Sequence, residues 1–151
     1  IEIDLEIIRL VKKYFNTGQY KDLTVVNQNA SQYVKNCSSA YDIIIIDLYV
    51  DNVVPEEFHC EEFVKGLKNI SHENSIILFN KMLDTKKAKK EYNKLVFEMS
   101  KVFGTVSFLS YTVNNIENRV ICVNTSRVAE INRRFVEDIT LSETLYDPIL
   151  N

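Results

Sequence analysis

The sequence predicts a doubly wound α/β sheet, mostly parallel, that ends in an antiparallel hairpin. Three observations predict it. Apolar strand-like runs alternate with helical patterns along most of the chain, the order expected of βαβ units. The run "YDIIIID" is apolar from Ile43 to Ile46, as expected of a parallel strand buried on both faces. The last two strand-like runs, "TVSFLSYTV" and "NRVICVNT", are joined by "NNIE", a connection short enough for a hairpin.

Each element follows from local pattern. "IEID" reads as a short first strand. "LEIIRLVKKYF" then places Leu5, Ile8 and Val11 or Tyr14–Phe15 on one helical stripe. "NTGQYKD" is a turn around Gly18, "LTVVN" a second strand and "ASQYVKNC" a short helix. After the third strand, "LYVDNVVPE" is a loop closed by Pro55. "PEEFHCEEFVKGLKNI" follows as a helix, with Pro55 in its first turn and Glu56 and Glu57 near the positive end of its dipole. "SHENS" is a turn and "SIILFN" a fourth strand. "DTKKAKKEYNKLVFEMSKVFG" is a long amphipathic helix that stops at Gly104. Its lysines read as a solvated helix face. The hairpin comes next, and "SRVAEINRRFVEDI" is a last helix before an irregular tail.

Composition narrows the function classes. The 151 residues suit one domain, 46% hydrophobic and 26% charged, enough for one substantial core. A formal net charge of -3 gives no basic footprint for nucleic acid. No apolar run approaches the roughly 18 residues that cross a bilayer. Cys37, Cys60 and Cys122 are scattered without CxxC spacing, which favours free thiols and a reducing, cytoplasmic setting. His59 and His72 lack metal-ligand spacing, so no metal site is expected.

In open α/β sheets ligands bind beyond the carboxyl ends of the strands. Glu2 and Asp4 end the first strand, Asn27, Gln28 and Asn29 the second, Asp47 the third and Asn80 the fourth. Singly, such residues are ordinary caps and turn formers. Four polar strand ends on one sheet edge predict a site for a polar ligand.

In order, "IEIDLEII", "LTVVNQNASQYV", "YDIIIIDLYVDNVVPEEFHCEEFVKGLKN" and "SIILFN" resemble the spermidine synthase-like branch of the class I S-adenosylmethionine-dependent methyltransferase fold. That family shows a "VEID" strand, a "GDA" after the next strand, a "YDVIIxD" strand, a "VP" loop and a strand ending in Gln or Asn. The resemblance covers Ile1 to Asn80 and continues more weakly through the hairpin. It implies that Glu2 accepts the two ribose hydroxyls of a nucleoside, a task for which a carboxylate has two acceptor oxygens. It places Asn29, with Ala30 after it, at the "GDA" that receives the adenine amino group. Asn29 stands where the family has Asp, and Gln28 where it has Gly. Asp47 matches a strand-end acid beside the attacking amine, where a carboxylate holds an ammonium or removes its proton. Tyr49 and Asp51 follow as an aromatic wall and a second carboxylate, in a loop that departs from the "DSSDP" type. Asn80 matches the polar residue toward the substrate. The implied cofactor is S-adenosylmethionine or its decarboxylated form, and the implied partner an amine or polyamine.

The family's Gly-rich loop, which should follow the first strand, is absent: Gly18, Gly66 and Gly104 lie far apart. "IEID" corresponds to the family's second strand. The chain therefore reads as a domain lacking its first strand and Gly loop, whose unpaired strand edges call for strand rearrangement or a homodimeric or higher partner copy. Two functions follow. One is a methyl- or aminopropyltransferase-like domain, the 151 residues being inactive alone. The other is a non-catalytic scaffold or oligomerisation module, which Gln28, Asn29 and the altered loop favour. A third reading, a nucleotide or phosphate binder of another α/β family, is disfavoured because the sequence shows no phosphate-cradling loop.

Overall fold

The computed structural model describes residues 1–113 and 116–124. The expected last helix and the tail lie outside the described residues, as do Asn114 and Asn115. In chain order the elements are α1 (Leu5–Tyr14), α2 (Ala30–Asn36), β1 (Tyr41–Ile46), α3 (Glu61–Asn69), β2 (Ser71–Met82), α4 (Lys86–Phe103), β3 (Val106–Val113) and β4 (Ile116–Val123). Short 3-10 turns cover Thr17–Gln19 and Glu56–His59.

The strands form one mixed sheet in the order β1-β2-β4-β3. β1 runs parallel to β2, with Ile43 to Ile46 opposite Ile76 to Phe79. β4 runs antiparallel to both β2 and β3, so the expected hairpin is present. β2 is longer than expected, because "SHEN" joins the strand instead of turning before it. A register shift between Tyr41 and Ile43 takes up the extra residues.

Helices form where the pattern and the caps agree. The Asp4 side chain accepts from the amides of Glu6 and Ile7 and starts α1. Asn29 does the same for α2, and Thr85 for α4. α4 ends at Gly104, whose φ of 78° only glycine adopts without strain. The expected helix over 55–70 is broken in two. Cys60 is extended, with φ -96° and ψ 159°, and separates the 3-10 turn from α3. The break lets Phe58 and His59 both point inward, where they are buried.

The core lies where α3 and α4 pack against the sheet. Phe63, Val64 and Leu67 of α3 and Leu95 and Met99 of α4 meet Ile77 and Phe79 of β2 and Ile121 of β4, all essentially fully buried. Alternate β2 residues Ile77, Phe79 and Lys81 are sealed, as the two-residue period of a strand requires. α2 crosses α3 so closely at Gly66 that an added Cβ would meet Val34 Cγ2 at 2.6 Å. Gly66→Ala should therefore destabilise the fold by about 1–2 kcal/mol despite alanine's better helix propensity. Denaturant unfolding checks this, and a stabilised variant would refute the close packing.

The first two expected strands are not formed. "IEID" and "LTVVN" meet only at one parallel bridge, Glu2 to Asn27. Glu2 N donates to Val26 O at 3.0 Å, Gln28 N donates to Glu2 O at 3.1 Å, and Asn27 Nδ2 donates to Ile3 O at 2.8 Å. A strand needs a continuous ladder beside it, and here no described strand supplies one. Among the described strands β1 pairs with β2 alone, and the expected strand rearrangement is not seen. A groove of about 610 Å³ remains, lined by Ile1, Leu23 and Val26 from the opening segment and by Ile43 and Ile45 from β1. Ile43 and Ile45 are 56% and 70% exposed, so β1 is not buried on both faces as its composition suggests. On α1 Ile8 is buried and Leu5 and Tyr14 are exposed, as is Phe15 just after the helix.

Candidate functional site

The turn at the carboxyl end of β1 faces the opening segment, the start of α2 and the 3-10 turn at 56–59. These pieces enclose a small pocket of about 130 Å³ whose wall includes Glu2, Asn29, Ala30, Asp47, Tyr49 and Glu57. Its described lining carries three carboxylates, from Glu2, Asp47 and Glu57, and no lysine, arginine or histidine. Such a wall attracts cationic and hydrogen-donating ligands and repels phosphate. Whole small ligands usually occupy about 300–1,000 Å³. The pocket by itself holds part of one, and it shares Ile1, Ala30 and Leu48 with the larger groove beside β1.

The individual residues are held in different ways. Glu2 Oε1 accepts from the Asp4 amide at 2.7 Å, which steadies the carboxylate at the mouth of the pocket. Asn29 Oδ1 accepts from Ser31 N at 2.8 Å, capping α2, and Asn29 Nδ2 donates to Glu57 Oε1 at 3.1 Å. The side chain at 29 thus spends its oxygen on the helix and uses its amide to hold a carboxylate. Asp47 Oδ1 accepts from Asn80 Nδ2 at 3.0 Å. Asn80 does not line the pocket; it stands behind Asp47 and orients it. Its buried Oδ1 has no hydrogen-bond partner among the described residues.

Tyr49 is fixed at its hydroxyl, which accepts from Met82 N at 2.8 Å and donates to Asn80 O at 3.4 Å. Burial raises its pKa, so it is a neutral aromatic wall anchored to β2. Asp51 is placed elsewhere. It sits with φ 54° in a two-residue turn closed by reciprocal bonds between Val50 and Val53, outside the pocket wall. Among the described residues no group of histidine, cysteine or acidic side chains could hold a metal ion.

Two features escaped the sequence reading. Glu57, expected only at the positive end of a helix dipole, supplies the carboxylate beside Asn29. The second is a buried cluster behind the pocket. Lys81 Nζ lies 3.0 Å from His59 Nε2 and 3.0 Å from Glu91 Oε2. Burial first, and then the Lys81 charge, lower the His59 pKa to about 4, so the ring is neutral near pH 7. Burial opposes ionisation of Glu91, but the Lys81 hydrogen bond and charge outweigh it and lower its pKa. A lysine in period with Ile77 and Phe79 was the available signal.

Known proteins share this fold. The fold is similar to that of a probable spermidine synthase from Corynebacterium glutamicum, with a TM-score of 0.72 and 17% identity over 97% of this chain and 56% of that one. It is also similar to human Methyltransferase-like protein 13 in complex with SAH, with a TM-score of 0.65 and 15% identity over 99% of this chain and 73% of that one. The architecture is the Rossmann-like methyltransferase fold. Residues 1–133 match the family described as Spermine/spermidine synthase domain, and the chain belongs to that family. A "Probable polyamine aminopropyl transferase" of Bifidobacterium longum is 24% identical over 119 residues, 79% of this chain. The chain spans 26% of that relative's length.

Proposed function

We propose that this domain contributes to an aminopropyl-transfer site, in which a nucleoside sulfonium donates to the amine of a polyamine. The observation that carries the reading is the pocket wall with three carboxylates and no cationic side chain. A sulfonium nucleoside offers a positive charge and hydroxyl donors, and a polyamine offers ammonium groups. Both suit such a wall, whereas a phosphorylated nucleotide does not. Family membership and the aminopropyl transferase relative support the same chemistry.

The bound nucleoside would supply a carbon already activated by its sulfonium. The remaining work is binding, orientation and proton removal. Glu2 would accept the ribose hydroxyls with the oxygen that Asp4 leaves available. Glu57, held by Asn29, would supply the negative charge that Asn29 itself lacks. Tyr49 would form a rigid apolar wall. Asp47, oriented by Asn80, would hold the acceptor ammonium and take the proton that the amine loses. Asp51 has no part in this arrangement, because it lies outside the pocket wall.

Calorimetry on the full-length protein tests the reading with S-adenosylmethionine, its decarboxylated form and methylthioadenosine. Glu2→Gln should weaken methylthioadenosine binding about ten- to hundredfold, the worth of a charged hydrogen bond. The absence of binding by all three compounds would overturn the proposal. It would favour the second reading, a non-catalytic scaffold, for which the use of Asn29 Oδ1 as a helix cap is the supporting observation.

A further inference from the structure

Lys81, His59 and Glu91 come from β2, the 3-10 turn at 56–59 and α4. None of them lines the pocket. Lys81 is 2% exposed and His59 1%, so the ammonium is sealed between the sheet and the turn. An ammonium can only donate, so His59 Nε2 must accept, and the ring proton sits on Nδ1. That Nδ1 is buried without a hydrogen-bond partner among the described residues. A merely stabilising core would not need this arrangement. Buried ion pairs cost much of what they return, and apolar residues of similar volume usually serve as well.

What the cluster does secure is geometry. His59 follows Glu57 and Phe58, both in the pocket wall. Lys81 follows Asn80, whose amide holds Asp47. The bond from Lys81 to His59 therefore ties the turn that presents Glu57 to the strand that presents the Asp47 support. Glu91 anchors the same ammonium to α4 at 3.0 Å.

We propose that Lys81 is a positioning residue, which through His59 and Glu91 sets the separation of the Glu57 and Asp47 carboxylates across the pocket. The proposal deepens the aminopropyl-transfer reading and rests on it for its consequence in ligand binding. The double substitution Lys81→Met with Glu91→Gln removes the ion pair without stranding a charge. The control is Leu95→Ala, which truncates a fully buried α4 side chain and leaves Lys81, His59 and Glu91 unsubstituted.

Hydrogen–deuterium exchange on the full-length protein reads the positioning without any ligand. Amides at 56–60 and 47–50 should exchange about tenfold faster in the double variant than in Leu95→Ala. Methylthioadenosine affinity should fall about tenfold or more in the double variant and stay near wild type in Leu95→Ala. Equal exchange at these segments in the two variants overturns the positioning role, whatever the ligand data show. Faster exchange with unchanged affinity also overturns it, because the carboxylate spacing would not matter. A wild-type protein that binds no methylthioadenosine sinks the functional reading, and the exchange comparison still decides whether Lys81 holds the turn.

Discussion

Asp47→Asn is expected to lower the aminopropyl-transfer rate of the full-length protein about 100- to 1,000-fold, the usual worth of a positioned proton acceptor. The substitution is nearly isosteric. An asparagine oxygen can still accept the Asn80 amide that now holds Asp47 Oδ1 at 3.0 Å. The pocket should keep its shape, and what is lost is one negative charge and one basic oxygen. Methylthioadenosine affinity should change by no more than about threefold, which places the defect in the chemical step and amine binding. Asn80→Ala should give a smaller loss, because it frees the Asp47 side chain without neutralising it. Steady-state kinetics with varied amine and varied nucleoside separate these effects. A rate loss below tenfold for Asp47→Asn would remove this residue from proton transfer.

The second large effect concerns pH. In the unfolded chain His59 titrates near 6.5, and in the folded protein near 4. Burial is the leading cause, followed by the Lys81 charge; Glu91 and Glu56 oppose the shift and Lys94 reinforces it. Between these two values the unfolded chain takes up a proton that the folded chain refuses. Stability is therefore complete above about pH 6.5 and falls as the pH drops toward 4. The loss across that window is about 3 kcal/mol. Glu91 and Glu117 also have lowered pKa values, from Lys81 and Arg119 respectively, acting against burial. Their contribution is present above the ordinary carboxylate range and is lost at lower pH than that of His59. Urea unfolding at intervals from pH 4 to 7.5 reads the slope. His59→Gln keeps an acceptor for Lys81 and cannot titrate, so its slope between 4.5 and 6.5 should be nearly flat. An unchanged slope would show that His59 is not the group responsible.

Local pattern is enough to place much of this domain. The helices α1, α2 and α4 carry their own stop and start signals in Asp4, Asn29, Thr85 and Gly104. The apolar run from Ile43 to Ile46 and the short link between the last two strands made β1 and the hairpin legible. The structure brings Glu2, Asn29, Ala30, Asp47 and Tyr49 to one pocket wall, although only Asp47 and Tyr49 follow a strand that forms.

The failures have a common cause. "IEID" and "LTVVN" have strand composition, yet a ladder depends on what lies alongside, and only Glu2 and Asn27 pair. Helical periodicity continues through residues 55–70, but burial of His59 against Lys81 goes with a break at Cys60. Asp51 follows Asp47 closely in sequence, but the turn conformation at φ 54° puts it outside the wall. Glu57 and Lys81 are ordinary surface residue types whose roles depend on contacts with Asn29 and His59, 28 and 22 positions away.

The sequence by itself determined the α/β class, the family and the polar residue types at element boundaries, because these depend on short-range periodicity and on local residue type. The tertiary structure alone decided which polar groups meet. It brought Glu57 to Asn29, put Asn80 behind Asp47 and sealed Lys81 between His59 and Glu91. Hydrogen bonds and charges act over a few ångströms in space, and distance along the chain does not record that separation.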